Sequence, residues 1–336
     1  MSQPTIKDVA KLAGVSISTV SRVMNDSKPV SEDSRKKVED AIKKLDFKRN
    51  ELARSLVMKR SNIIGVIVKD IAIPYMAEII RGLEEVGRQK KYDIFLSSSY
   101  GNTESELEIV DFMFRKQAEG IIIVGENISN DVIYKLKENT IPYIFIDKFY
   151  DGDFSSNLID YEKSAYQMTI EIIKRGHKNI LFVKDDKDYK IEKLKYEGYK
   201  SAIREYGLNI FHINADDVHI EDGYNLGPKL LKRVKEDKIS CIFAAEDDLA
   251  FGIINYFYDQ KIRVPDDISV AGFGGSKFAE IYKPTLATFQ IYYYDIGAGA
   301  MSKLIKILKN KSLSKDTVTP HLVHCKMEES VGFLNK

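Results

Sequence analysis

Tryptophan is absent from this chain and cysteine nearly so, with two in 336 residues. Cys241 and Cys325 each lie in an apolar, strand-like run. Both read as free buried thiols, and a disulfide-stapled secreted framework is excluded. Apolar runs such as IIGVIV (63–68) and GIIIVG (120–125) have the length of buried strands, far short of the roughly 20 residues that span a bilayer. Met1 to Thr5 leads straight into a polar helical pattern with no apolar signal-peptide core. The expectation is therefore a cytoplasmic protein with no membrane partner.

The signatures of common enzymes are missing too. There is no GxxxxGKS or GxxxxGKT, no HExxH, no GxSxG and no CxxC. GAGAM (297–301) places two glycines inside a helical pattern and lacks the third that a dinucleotide loop wants. His177, in RGHKN, follows a helical pattern, where a packed or C-capping histidine is the ordinary reading. No catalytic constellation, metal site or cofactor site emerges, so an enzyme is not expected. GGSK (274–277) offers a serine and a lysine after two glycines, yet its spacing matches no phosphate-loop signature.

What is present begins with an uneven distribution of charge. The net charge is +1, but residues 1–60 hold 14 Lys and Arg against 8 Asp and Glu, and the remainder 37 against 42. A basic head on a mildly acidic body points to a head that meets a polyanion. With 44% hydrophobic and 30% charged residues the whole is an ordinary globular composition, long enough for two domains.

The head, TIKDVAKLAGVSISTVSRVMND (5–26), carries two short helical patterns separated by Gly14. Thr5 caps the first with Asp8 as a box-like partner, and Ile6, Val9, Ala10 and Ala13 form its apolar stripe. Ser16 caps the second, which turns Val20, Val23 and Met24 inward and Ile17, Ser18, Ser21 and Arg22 outward. A third helix, capped by Ser31, closes the core with Val38, Ala41, Ile42 and Leu45. Two helices joined by a glycine turn make a helix-turn-helix, whose second helix enters the DNA major groove by its N-terminal residues. Small side chains let the backbone approach, and Arg22 can fork onto a guanine.

The body alternates strand-like runs with amphipathic helices: IIGVIV, YDIFLSSS (92–99), GIIIVG, PYIFID (142–147), NILFV (179–183), CIFAA (241–245), ISVAGF (268–273) and LATF (286–289). That alternation predicts an α/β fold with two doubly wound parallel sheets.

DVAKLAGVSISTVSRVMN, followed by VSEDSRKKVEDAIKKLDFKRNELARSL, closely resembles the LacI/GalR family of bacterial transcription regulators. The resemblance extends along nearly the whole chain. It implies a three-helix DNA-binding domain with hinge helix over 1–60 and an effector-binding, dimerising body of periplasmic-binding-protein type over 61–336. The body divides into one subdomain of about 62–160 plus 292–320 and another of about 162–290 plus 321–336. The resemblance implies DNA contacts by Thr5, Ser16, Ile17, Ser18, Thr19, Ser21, Arg22 and Asn25, with Ile17, Ser18 and Arg22 at the base-reading positions. NELARSL (50–56) corresponds to the hinge helix, adding Asn50, Ala53 and Leu56, the last as a minor-groove wedge.

The cleft between subdomains is implied to be lined by Ile71, Ile73, Tyr75, Asp147, Lys195, Val218, Glu246, Asp247 and Gly274. Several depart from the family pattern. Ala72 and Ile73 precede Pro74 in place of Asn or Ser, Lys195 stands for an arginine, Val218 for a stacking aromatic, Glu246 for an asparagine and Gly274 for an aspartate. Lysine does not reproduce a bidentate arginine fork, so the pocket is poorly built for an ordinary free sugar. QIYYYDIGAGAMSKLIKIL (290–308), DIAIPYM (70–76) and NLIDYEKSA (157–165) look most like the catabolite control protein branch. That branch uses a phosphocarrier protein as co-regulator, whose contact positions here are Ser302, where an arginine is the rule, and Lys306.

The expectation is a homodimeric repressor of carbohydrate-use genes that binds a pseudo-palindromic operator on double-stranded DNA, without cofactor. A small-molecule effector such as a sugar or sugar phosphate, or the phosphocarrier protein, would control it. The alternative is a cytoplasmic solute-binding or sugar-processing protein with the same body.

Overall fold

The computed structural model describes residues 4–26, 28–47, 61–125, 128–146, 156–185, 190–310, 319–320 and 323–334. The chain forms two compact units, residues 1–61 and 62–336.

In the first unit, α1 is Ile6–Ala13, α2 is Ile17–Asn25 and α3 is Glu32–Lys44. The Thr5 backbone N–H and hydroxyl both donate to Asp8 Oδ2, at 2.8 and 2.7 Å. Those bonds hold the Asp8 carboxyl below its ordinary pKa. Gly14 ends α1 with φ of +65°, the left-handed conformation that glycine adopts without steric cost. Ser16 Oγ accepts from the Thr19 N–H at 3.1 Å, and Ser31 Oγ from the Ser34 N–H at 3.4 Å. Val9, Val20 and Val38, one from each helix, are fully buried. The apolar stripes thus close on one another as their spacing requires.

The second unit begins with β1 (Ile63–Val68), α4 (Pro74–Gln89), β2 (Asp93–Ser98), α5 (Thr103–Arg115), β3 (Gly120–Val124), α6 (Asn130–Glu138), β4 (Tyr143–Ile146) and β5 (Ser156–Leu158). It continues with α7 (Tyr161–Lys174), β6 (Ile180–Asp185), α8 (Lys190–Glu205), β7 (Phe211–Ala215), α9 (Ile220–Glu236), β8 (Cys241–Ala244), α10 (Asp247–Asp259) and β9 (Ser269–Ala271). The last elements are α11 (Phe278–Ile281), β10 (Thr288–Ile291), α12 (Tyr293–Asn310), β11 (Thr319–Pro320) and β12 (Val323–Lys326).

One parallel sheet has the order β11-β5-β4-β3-β1-β2 and a second, also parallel, the order β7-β6-β8-β9. β1 and β3 lie inside the first sheet with helices over both faces, which is why they read as unbroken apolar runs. Val66 sits in register with Leu96 of β2 and Ile122 of β3.

LATF was expected to join a parallel sheet, and Ala287 does bridge Ala271 of β9 in parallel, its carbonyl accepting from the Gly272 N–H at 2.8 Å, but the run also takes a second partner. Its strand starts at Thr288 and pairs antiparallel with β12, with Phe289 opposite Cys325. An apolar run reports burial and not the partner, and this partner comes from the far end of the chain. The sequence reading also lacks β5, β7 and β11, and it has β12 only as the strand-like run around Cys325. β5 and β11 are three and two residues long, and β7 is a half-exposed edge strand, FHINA, with polar residues interleaved.

GAGAM lies inside α12, and its first glycine serves packing. A Cβ on Gly297 would collide with the Ile79 backbone oxygen of α4, and one on Gly82 with that of Tyr294. The two helices therefore touch backbone to backbone. His177 is buried, with Nδ1 3.0 Å from Ser240 Oγ and Nε2 3.1 Å from the Gly332 carbonyl. Burial lowers its pKa, so it is a neutral packed histidine. The cysteines are free: Cys241 is buried and Cys325 half-buried. No helix among the described residues is long and apolar enough to cross a membrane.

Candidate functional site

The N-terminal end of α2 carries the first site. Ser16 Oγ lies 2.7 Å from Ser18 Oγ and 2.8 Å from Thr19 Oγ1, so three hydroxyls share hydrogen bonds around the helix start. This end is also the positive end of the helix dipole, suited to a phosphate oxygen. Ile17 is 46% exposed, Thr5, Ser18 and Arg22 are exposed, Thr19 and Ser21 are half-buried, and Asn25 ends the helix. The inward residues Val20 and Val23 are buried, so α2 is locked to the core by one face and offers the other. Asn50, Ala53 and Leu56, with the hinge helix assigned to 50–56, lie outside the described residues.

The second site lies where parallel strands of the body end. Ile71, Ile73 and Tyr75 follow β1, Val218 follows β7, Glu246 and Asp247 follow β8, and Gly274 follows β9. In doubly wound sheets this is the end at which loops build a ligand site. Ile71 is 54% exposed, Val218 half-buried, and Ile73 and Tyr75 pack by one side against the core. Asp147 falls outside the described residues.

Lys195 enters the site already engaged. It is 1% exposed, and its Nζ donates to Glu192 Oε1 at 2.8 Å, to the Ala245 carbonyl at 2.8 Å and to Glu246 Oε1 at 2.6 Å. The same ammonium stands 4.9 Å from the Phe273 ring centre and 5.8 Å from that of Tyr161. Burial by itself pulls the lysine pKa down, but Glu192 and Glu246 outweigh it and the net direction is up. This cation is part of the wall and does not reach out to a ligand.

Asp247 is 3% exposed and opens α10. Its Oδ1 accepts from Thr288 Oγ1 at 2.6 Å and its Oδ2 from the Ser276 N–H at 2.6 Å. Burial pushes its pKa up to about 6, against these hydrogen bonds. The glycine pair of SVAGFGGSKF answers to this carboxylate: Gly274 and Gly275 have φ of +132° and +72°, which bends the loop around Asp247 and delivers the Ser276 N–H to it. The loop wraps a carboxylate and does not cradle a phosphate.

Tyr75 stacks on Tyr293 with ring centres 4.8 Å apart and 20° between planes. Lys277, on the loop after β9, pairs with Glu78 of α4, which also pairs with Arg81 at 3.0 Å. The structure thus gathers Tyr75, Lys195, Glu246, Asp247 and Gly274 from the predicted set and adds Glu192, Tyr161, Phe273, Thr288, Ser276 and Tyr293. Of the additions only Glu192 carried a signal, standing one helical turn before Lys195. The others come from distant segments that only the fold brings together. On α12, Ser302 is half-buried and Lys306 exposed, one turn apart.

Residues 5–50 match the family described as bacterial regulatory proteins, lacI family, and residues 61–327 match periplasmic binding proteins and sugar binding domain of LacI family. The chain belongs to the LacI family. It is a regulator of transcription that binds DNA.

Catabolite control protein A of Priestia megaterium is 34% identical over 324 residues, covering 95% of this chain and 97% of the relative. The HTH-type transcriptional regulator RegA of Clostridium saccharobutylicum is 36% identical over 315 residues, covering 93% and 94%. The fold is that of the lac repressor dimer bound to operator and an anti-inducer, with a TM-score of 0.89 at 22% identity, covering 98% of this chain and 100% of that one. The transcription regulator CcpA of Lactococcus lactis matches 80% of this chain and 98% of its own, with a TM-score of 0.68 at 24% identity.

Proposed function

We propose that this LacI-family regulator represses carbohydrate-use genes in the cytoplasm, binding a pseudo-palindromic operator as a homodimer. The observation that carries the reading is the exposed face of α2, where Ile17, Ser18 and Arg22 stand clear of a head closed by Val9, Val20 and Val38. A dimer of such heads reads two half-sites. Asn50, Ala53 and Leu56 extend the contact set by their place in the family pattern. The relatives' name, catabolite control, supports the link to carbohydrate use.

Control comes from a small molecule in the body's cleft, at Ile71, Ile73, Tyr75, Asp147, Lys195, Val218, Glu246, Asp247 and Gly274. A ligand held more tightly by one cleft conformation shifts operator affinity by that difference. A phosphocarrier protein is a second input, at Ser302 and Lys306, where Lys306 alone supplies positive charge to a phosphate.

Arg22→Ala tests the reading head. The expected outcome is relaxed preference at one base pair per half-site, a loss of about 1–3 kcal/mol of discrimination there. The measurement is a selected-site profile from random duplexes for both proteins. An unchanged profile would reduce Arg22 to a phosphate contact and remove it from the base-reading set.

A further inference from the structure

The charge of the cleft names the class of its ligand, an inference that rests on the cleft being the effector site. Gly274 has no side chain, and a Cβ built on it would lie 3.5 Å from Glu246 Oε2, 3.7 Å from Asp247 Oδ2 and 3.8 Å from Tyr293 Oη. Three oxygens, two of them carboxylate, converge on the space left open. Lys195 does not enter that space, because its three donors go to Glu192, the Ala245 carbonyl and Glu246 Oε1. One ammonium thus stands against two glutamates, while Asp247 is held by neutral donors, the Thr288 hydroxyl and the Ser276 N–H.

Lys277, on the same loop as Gly274, pairs with Glu78, so among the described residues the space is rich in acceptors and short of unpaired positive charge. Tyr293 borders it, and Tyr75 stacks on that ring. Aromatic faces attract cations through their quadrupole. A phosphate or carboxylate brought here would meet Glu246 and Asp247, a like-charge contact in a half-buried setting.

We propose that the cleft selects a small ligand bearing an ammonium group, received over Gly274 by Glu246 Oε2, Asp247 Oδ2 and Tyr293 Oη beside the Tyr75–Tyr293 pair. Charge-assisted hydrogen bonds to two carboxylates favour the ammonium over a hydroxyl in the same place. Such a ligand also offsets the burial that lifts Asp247. Glu246 is then the residue that sets specificity.

The test is calorimetry on the full chain at neutral pH with four probes built on one hexose ring: glucosamine, its near-isostere glucose, N-acetylglucosamine and glucose 6-phosphate. Glucosamine is expected to bind about tenfold or more tightly than each of the others. Glu246→Gln, which keeps the shape and removes the charge, is expected to abolish that preference. Should the variant fail to fold, the ranking with the wild-type chain decides alone.

Glucose or N-acetylglucosamine binding as well as glucosamine, or no binding by glucosamine, overturns the ammonium preference. Operator affinity measured with the same probes separates the two readings. If glucose or glucose 6-phosphate shifts it and glucosamine does not, the ammonium fails and the effector site stands. Glucosamine that binds without moving operator affinity overturns the effector reading alone.

Discussion

Asp247 shows how one buried carboxylate organises a loop and makes itself measurable. Its pKa is raised by burial from 3.8 to about 6. Between those values the folded chain holds a proton that the unfolded chain releases, so this residue's contribution to stability is full below about 4 and is lost as pH rises through about 6. Asp247→Asn removes that dependence. Urea denaturation of both proteins from about pH 4 to pH 7 is expected to show a steeper decline for the wild type, by on the order of 3 kcal/mol across the window. Parallel pH profiles would mean that Asp247 is not buried as an acid. Lys195 makes the complementary point: the sequence placed it in the cleft, and the structure spends its charge on Glu192 and Glu246. A residue type and a position do not reveal whether the group faces a ligand or a neighbour.

Among the elements, helices were more legible than strands. Thr5, Ser16 and Ser31 announce the starts of α1, α2 and α3, because caps are local chemistry written within three residues. Strands with both faces covered, such as IIGVIV and CIFAA, were equally plain. β7 was not, since an edge strand needs little apolar surface, and neither was the pairing of β10 with β12, which joins segments some 35 residues apart across α12. The glycines of GAGAM carried no signal of their purpose until α4 was seen against α12. Gly297→Ala is expected to destabilise the body by about 1–3 kcal/mol, the usual range for overpacking, because its methyl would meet the Ile79 carbonyl. Chemical denaturation of residues 62–336 checks this, with an unchanged midpoint as the contrary result.

At the scale of the whole molecule, charge and fold divide the labour. The first 60 residues carry 14 basic against 8 acidic side chains and the remainder 37 against 42, so attraction to a polyanion belongs to the head. The body supplies two parallel sheets, with Tyr75 following a strand of one and Glu246, Asp247 and Gly274 following strands of the other. Two compact units, one matching a DNA-binding family and one a ligand-binding family, are what a ligand-responsive regulator requires. Selection of binding sites from random duplexes by the full chain at low salt tests this most directly. The account predicts an enriched pseudo-palindromic sequence whose affinity falls linearly, on logarithmic axes, with salt. Recovery of no preferred sequence, with all duplexes bound alike, would contradict it.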